Sequence, residues 1–154
     1  MEKVSIKKID RLTKDILDIT TRWMYEWWGI EENYKYDDVY AYMKNSFNKD
    51  KLPQTFIMYL DDKIIGMYQI TYRDLFVRPN IYPWVANIYI DKEYRNKGYG
   101  KILISSIKNI VKENTTFNEL FLYTTHKNLY EKYGWECIEA IDRNNKLYRL
   151  CLRS

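Results

Sequence analysis

Pro83-Trp84-Val85-Ala86-Asn87-Ile88-Tyr89-Ile90-Asp91-Lys92-Glu93-Tyr94-Arg95-Asn96-Lys97-Gly98-Tyr99-Gly100, continuing through Lys101 to Val111, reads as a strand, a glycine loop and a helix. Val85, Ile88 and Ile90 are β-branched residues in a short apolar run, which suits a strand buried on both faces. Asp91 to Lys97 is too polar for a core. Gly98 and Gly100 then open a helix whose apolar positions, Leu103, Ile104, Ile107, Ile110 and Val111, share one face. Each glycine weakens regular structure, so two at one corner need a reason, and close approach of a ligand to the backbone is the usual one. Amides at a helix start are unpaired and partly positive. A loop of them without side chains in the way binds phosphate, and Arg95, Lys97 and Lys101 add charge around it. The corner asks for a phosphorylated ligand, with a pyrophosphate as the best fit.

Two common phosphate patterns do not match. The dinucleotide fingerprint places a third glycine where Leu103 stands, and the Walker loop requires a serine or threonine after Lys101. Outward from the corner, Val4 and Ile6 mark a short first strand. Thr13 is an N-cap for a helix with Leu12, Ile16, Ile19, Trp23 and Trp27 at helical spacing, which Gly29 should stop. Asp37 to Phe47 reads as a second helix. Thr55 to Leu60 and Ile64 to Tyr72 form a hairpin around Asp61-Asp62-Lys63. After the central unit come a strand at Leu120 to Thr124, a short helix at Asn128 to Tyr133, and strands at Cys137 to Ile141 and Lys146 to Leu152. The order is β-α-α-β-β-β-α-β-α-β-β.

At 154 residues the chain fits one domain, residues 1–154. Sixteen tyrosines and five tryptophans supply large buried surface with polar tips. The net charge of +4 mildly favours anionic ligands, but no basic run interleaved with aromatics argues for nucleic acid. No apolar run has the ~18 residues of a membrane span, and Met1 to Lys8 lacks a signal-peptide core, so a cytoplasmic location is expected. Cys137 and Cys151 are too few for a zinc site, and no metal is expected. They are equidistant from the Asn144 turn, which suggests cross-strand neighbours kept as two buried thiols.

Arg95-x-x-Gly98-x-Gly100 after a strand resembles the pyrophosphate loop of the GNAT superfamily of N-acetyltransferases. Tyr130-Glu131-Lys132-Tyr133-Gly134-Trp135 resembles its second signature, and the element order is similar to that of the GNAT fold. The resemblance covers nearly the whole chain. It implies an α+β fold with a mixed central sheet of about seven strands flanked by about four helices. It implies acetyl-CoA as cosubstrate and a primary amine of a small molecule or peptide as acceptor. A homodimer is compatible with it. The loop from Arg95 through Asn96, Lys97, Gly98, Tyr99, Gly100 and Lys101 would hold the pyrophosphate. Backbone groups of Ile88, Tyr89 and Ile90 would hold the pantetheine where this strand splays from the Leu120 strand. Asn128 stands in for an asparagine that lies further upstream in the family.

Acetyl transfer needs an unprotonated amine, donors for the oxyanion and a proton for the departing thiolate. In the resemblance Tyr130 is the general acid, since a phenol holds its proton at neutral pH. Many family members carry a base glutamate where this chain has Trp84. Asp74, in the loop before the strand, and His126, at the end of the Leu120 strand, are the candidate bases; direct loss of the proton to water is the third route. Trp27, Trp28, Glu31, Glu32, Tyr34, Asp74 and Trp84 surround the acceptor region, and aromatics with acids suit a cationic amine. Helical spacing puts Trp23 and Trp27 in the core, which leaves Trp28 and Trp84 as the substrate-binding candidates. An aminoglycoside-like compound, a polyamine, a small amine and a peptide N-terminus all remain open. A non-catalytic acyl-CoA sensor on the same fold is the alternative function.

Overall fold

The computed structural model describes residues 2–153. Seven strands form one sheet: β1 (Val4–Ile9), β2 (Gln54–Leu60), β3 (Lys63–Thr71), β4 (Trp84–Ile90), β5 (Glu119–Thr124), β6 (Glu136–Ala140) and β7 (Lys146–Cys151). They lie in the order β1-β2-β3-β4-β5-β7-β6, and only β4 and β5 run parallel. Three α-helices cover the sheet: α1 (Lys14–Met24), α2 (Tyr36–Lys44) and α3 (Tyr99–Asn114). The apolar face of α3, with Leu103, Ile107 and Val111, packs on Phe56, Ile70 and Leu120. On the other face Ile16, Met24 and Met43 of α1 and α2 pack on Ile57, Met67 and Tyr89. Covering both faces explains why the sequence of β4 is apolar without strict alternation.

The fourth expected helix is a single 3-10 turn, Tyr130–Tyr133, closed by Gly134 at φ 90°. The turn runs only four residues before the left-handed glycine, too short for an α-helical hydrogen-bond ladder. The observed order is therefore β-α-α-β-β-β-α-β-β-β. At the first helix, Thr13 caps as expected: its Oγ1 accepts from the Ile16 amide at 3.3 Å. Gly29 does not end that helix in a left-handed turn. The last turn widens into a π-helical segment, Tyr25–Gly29, with Ile30 N bonded to Tyr25 O at 3.0 Å. Gly29 is required for close packing, because a Cβ there would lie 3.1 Å from Val39 Cγ2. The wider turn changes the phase of the aromatics. Trp23 stays in the core, whereas Trp27 is 46% exposed, against the core position its spacing suggests.

Cys137 and Cys151 are not neighbours. Cys137 stands opposite Tyr148, a bulge shifts the hairpin register between Cys137 and Glu139, and Cys151 pairs with Glu119 of β5. Both thiols are free and exposed, not buried.

Two irregularities in β4 prepare the site. β4 and β5 share one register pair, Trp84 with Phe121, where Phe121 N also donates to Pro83 O at 3.0 Å; beyond it the strands part. In addition, Met67 pairs with Tyr89 and Gln69 with Ala86, so Tyr68 alone faces both Asn87 and Ile88. This is a β-bulge, with Asn87 at φ 55°, a left-handed conformation that asparagine tolerates. The extra residue reverses the side-chain alternation, and it lets Val85, Ile88 and Ile90 all pack toward α3 despite their uneven spacing.

Candidate active site

The parting of β4 from β5 opens two cavities that share Trp27, Ile88 and His126 on their walls. The smaller, about 490 Å³, is a groove running past Tyr89, Ile90, Arg95, Asn96 and Gly100. The larger, about 940 Å³, lies between the π-helical turn, α2, the β3–β4 loop and the end of β5.

The groove has the open backbone that the expected phosphate binding requires. Gly98 caps α3 at φ 90°, and a Cβ there would meet nothing within 4 Å, so the space above the backbone is open. Gly100 is next to Ile90 Cγ1 alone, at 3.9 Å. Among the described residues, the amides from Asn96 to Lys101 have no protein acceptor. Arg95 is pinned beside them: its Nε donates to Ile90 O at 2.8 Å, and its guanidinium lies 4.9 Å from the Tyr89 ring centroid. That bond occupies the Ile90 carbonyl, so of the three β4 residues expected to hold a ligand, Ile90 has its carbonyl already engaged. Lys97, Tyr99 and Lys101 stand around the loop without lining the groove, and Asn128 is exposed at φ 61° and lines neither cavity.

The larger cavity is walled by aromatics and acids. Trp28 reaches it as expected; its Nε1 donates to Met24 Sδ at 3.3 Å, and its ring meets Tyr34 and Tyr42 edge-on. Trp84 does not reach it. Trp84 is fully buried with Phe121 and Leu147, and its Nε1 donates to Ile81 O at 2.6 Å, so it anchors the β3–β4 loop from below. Trp27, swung outward by the π-helical turn, takes the wall position instead. Glu32 and Asp38 line the cavity, together with Arg73 and Phe76 from the loop. An ion pair between Arg78 and Glu139 ties that loop to β6.

Asp74, on the same loop, faces the cavity. Its surface is open to solvent, yet the surrounding walls crowd the carboxyl and push it up to about 6. Its charge in turn adds to burial in raising the phenols of Tyr42 and Tyr123. Tyr130 projects into the same cavity from the 3-10 turn, buried against Trp135 and Tyr148 at ring distances of 6.0 and 6.1 Å. Burial pushes its phenol up to about 12, and its hydroxyl has no hydrogen-bond partner among the described residues. Tyr133, three residues later, lines neither cavity. His126 is exposed where the two cavities meet, its amide bonded to Thr124 Oγ1 at 3.0 Å. No cluster of three or more metal-ligating side chains occurs among the described residues, and no helix is long and apolar enough to cross a membrane. Asn87, Tyr42 and Tyr123 are wall residues that no local sequence pattern marks; only the bulge and the packing bring them here.

A family model described as acetyltransferase (GNAT) family matches residues 14–135. The chain belongs to the GNAT acetyltransferase family. It is thus an N-acetyltransferase family enzyme, a class that uses acetyl-CoA. Solved structures share the GNAT fold over nearly full length. PH1933 from Pyrococcus horikoshii OT3 is 22% identical, with a TM-score of 0.66 over 97% of this chain and 98% of that one. Campylobacter jejuni N-acetyltransferase PseH in complex with acetyl coenzyme A is 17% identical, with a TM-score of 0.65 over 97% and 99%. An aminoglycoside 6'-N-acetyltransferase complexed with coenzyme A is 12% identical, with a TM-score of 0.70 over 97% and 98%. A comparison with curated proteins finds no match.

Proposed function

We propose that residues 1–154 form one acetyl-CoA-dependent N-acetyltransferase domain that acetylates a cationic primary amine by direct attack. The observation that carries this reading is the continuity of the two cavities. A glycine-opened groove of free amides leads directly to an acidic, aromatic chamber, and Tyr130 and Asp74 both face that chamber. The groove fits coenzyme A: Gly100 lines it without a side chain, and the amides from Asn96 to Lys101 are left free to meet a phosphate. Bound acetyl-CoA supplies an activated thioester to the chamber.

Asp74 receives the proton that the ammonium gives up. Raising its carboxyl from the ordinary 3.8 to about 6 brings it about two units closer to an amine and makes that transfer roughly a hundredfold less uphill. The amine nitrogen then forms its bond to the acyl carbon and gives up its second proton to solvent as the carbon–sulfur bond breaks. Tyr130, fully protonated at neutral pH, hydrogen-bonds the departing sulfur and hands it a proton, which solvent restores. Trp27, Trp28 and Tyr34 hold the cation against their ring faces.

The test is the pH dependence of kcat/KM, corrected for the fraction of free amine. Asp74 accepts a proton only when ionised, so the rate should rise with pH through about 6. Asp74→Asn should remove that limb and cost about 10²-fold in rate. The raised carboxyl is a stability contribution present below about pH 4 and lost as pH climbs through about 6. The neutral variant should therefore fold at pH 7 no worse than the parent. A limb that survives in Asp74→Asn would remove Asp74 as base and make His126→Gln the next variant.

A further inference from the structure

We infer that a buried chain of hydrogen bonds fixes the polarity of the acceptor chamber, so that its wall accepts the three N–H donors of a primary ammonium group. The inference rests on the chamber being the acceptor site.

The chain starts at a group with only one role. The Ser46 carbonyl can only accept, and Thr55 Oγ1 lies 2.7 Å from it, so the Thr55 hydroxyl spends its proton there. The Thr55 oxygen is thereby an acceptor for the Gln69 amide, 3.1 Å away, and the atom facing it must be Nε2. Both side chains are fully buried, so no water substitutes for either contact. The Thr55 oxygen thereby fixes the orientation of the Gln69 amide. Its Oε1 then points at β4 and α2, where it accepts from Asn87 Nδ2 at 2.7 Å and from the Tyr42 hydroxyl at 3.1 Å.

The consequence appears on the chamber side. Tyr42 and Asn87 both line the chamber. Tyr42 has given its proton to Gln69, which leaves its oxygen only the acceptor role; Ser46 and Asn87 also approach it. Asn87 has turned its NH₂ inward, and its Oδ1 has no protein partner among the described residues. Asp74 adds a carboxylate close enough to raise the Tyr42 phenol. Three acceptors thus occupy adjoining walls, and Gln69, though it touches no ligand, decides that Tyr42 and Asn87 are acceptors. A carboxylate or ether in this place would leave all three unpaired; a primary ammonium satisfies them, and a tertiary ammonium has one N–H to offer. Gln69 and Thr55 are positioning residues in this scheme.

The experiment uses CoA-saturated protein and two probes of equal charge, 4-(2-aminoethyl)phenol and its N,N-dimethyl derivative, titrated by calorimetry. The parent protein should bind the primary amine at least about tenfold more tightly, the effect of losing a charge-assisted hydrogen bond. Thr55→Val keeps the shape but frees the Gln69 amide to turn, and it should shrink that ratio to about threefold or less with CoA affinity unchanged. If Thr55→Val does not fold, Gln69→Met carries the same expectation. Equal binding of the two probes by the parent, binding of neither, or an unchanged ratio in a folded variant would each overturn the inference. Absence of CoA binding by the parent would instead overturn the proposed function.

Discussion

Tyr130→Phe is expected to lower turnover about 10²–10⁴-fold while CoA affinity stays within about twofold. The substitution removes one hydroxyl that has no partner among the described residues, so the edge-on packing on Trp135 and the tilted packing on Tyr148 should survive. What is lost is the donor that faces the departing sulfur. Burial keeps this phenol protonated up to about pH 12, so the parent's pH profile should show no falling limb from Tyr130 across the working range. Tyr133→Phe is the matched control, since Tyr133 lines neither cavity and its variant should retain activity. Steady-state kinetics on both variants checks the assignment. Loss in Tyr133→Phe alone would place the acid three residues later than proposed, and loss in neither would mean that the thiolate leaves without a protein acid.

Gly100→Val should weaken CoA binding by about 10²-fold or more, because two charge-assisted hydrogen bonds from loop amides to phosphate would be blocked. Gly100 lines the groove, and the only neighbour of a new Cβ is Ile90 Cγ1 at 3.9 Å, so the fold itself has room. Valine in the first helical turn costs under about 1 kcal/mol relative to a good helix former. Gly98 is the less clean site, because at φ 90° any side chain strains the backbone, and Gly98 does not itself line the groove. Calorimetry with CoA, beside a thermal melt that shows an intact fold, reads the effect. Equal affinity in parent and folded Gly100→Val would remove the loop as the phosphate site.

The glycine corner was readable because its pattern is contiguous: a strand, a charged turn, two glycines and a helix start all fall between Trp84 and Lys101. The place of Tyr130 on a short turn closed by Gly134 was readable for the same reason, although the expected helix shrank to one 3-10 turn. The acceptor chamber was legible only in kind, as acids with aromatics. Which aromatics face it depends on phase. The π-helical turn moves Trp27 from the expected core to the wall, and the loop buries Trp84 beneath itself. The bulge at Asn87 has no local signature beyond an asparagine in a strand, because the extra residue is defined only against β3. The Thr55–Gln69–Asn87 chain runs across three strands, and no spacing along the sequence could announce it. The same limit defeated the cysteine pairing: counting centred the turn on Asn144, whereas the Ala140–Lys146 pair centres it on Arg143, and the bulge beyond Cys137 shifts the register once more. Asp74 was visible as an acid in a loop, but its raised pKa comes from walls supplied by distant segments.

The central claim is that an acetyl group passes from CoA to an amine in the chamber joined to the glycine groove. Incubation of the protein with acetyl-CoA and a panel of primary amines, with free thiol and acetylated amine measured together, tests it most directly. The account predicts thiol release that depends on the amine, matches acetylated product one for one, and disappears in Tyr130→Phe and Gly100→Val. CoA binding with no amine-dependent thiol release across aromatic, polyamine, aminoglycoside and peptide acceptors would contradict it, and would identify the chain as an acyl-CoA-binding protein without transferase activity.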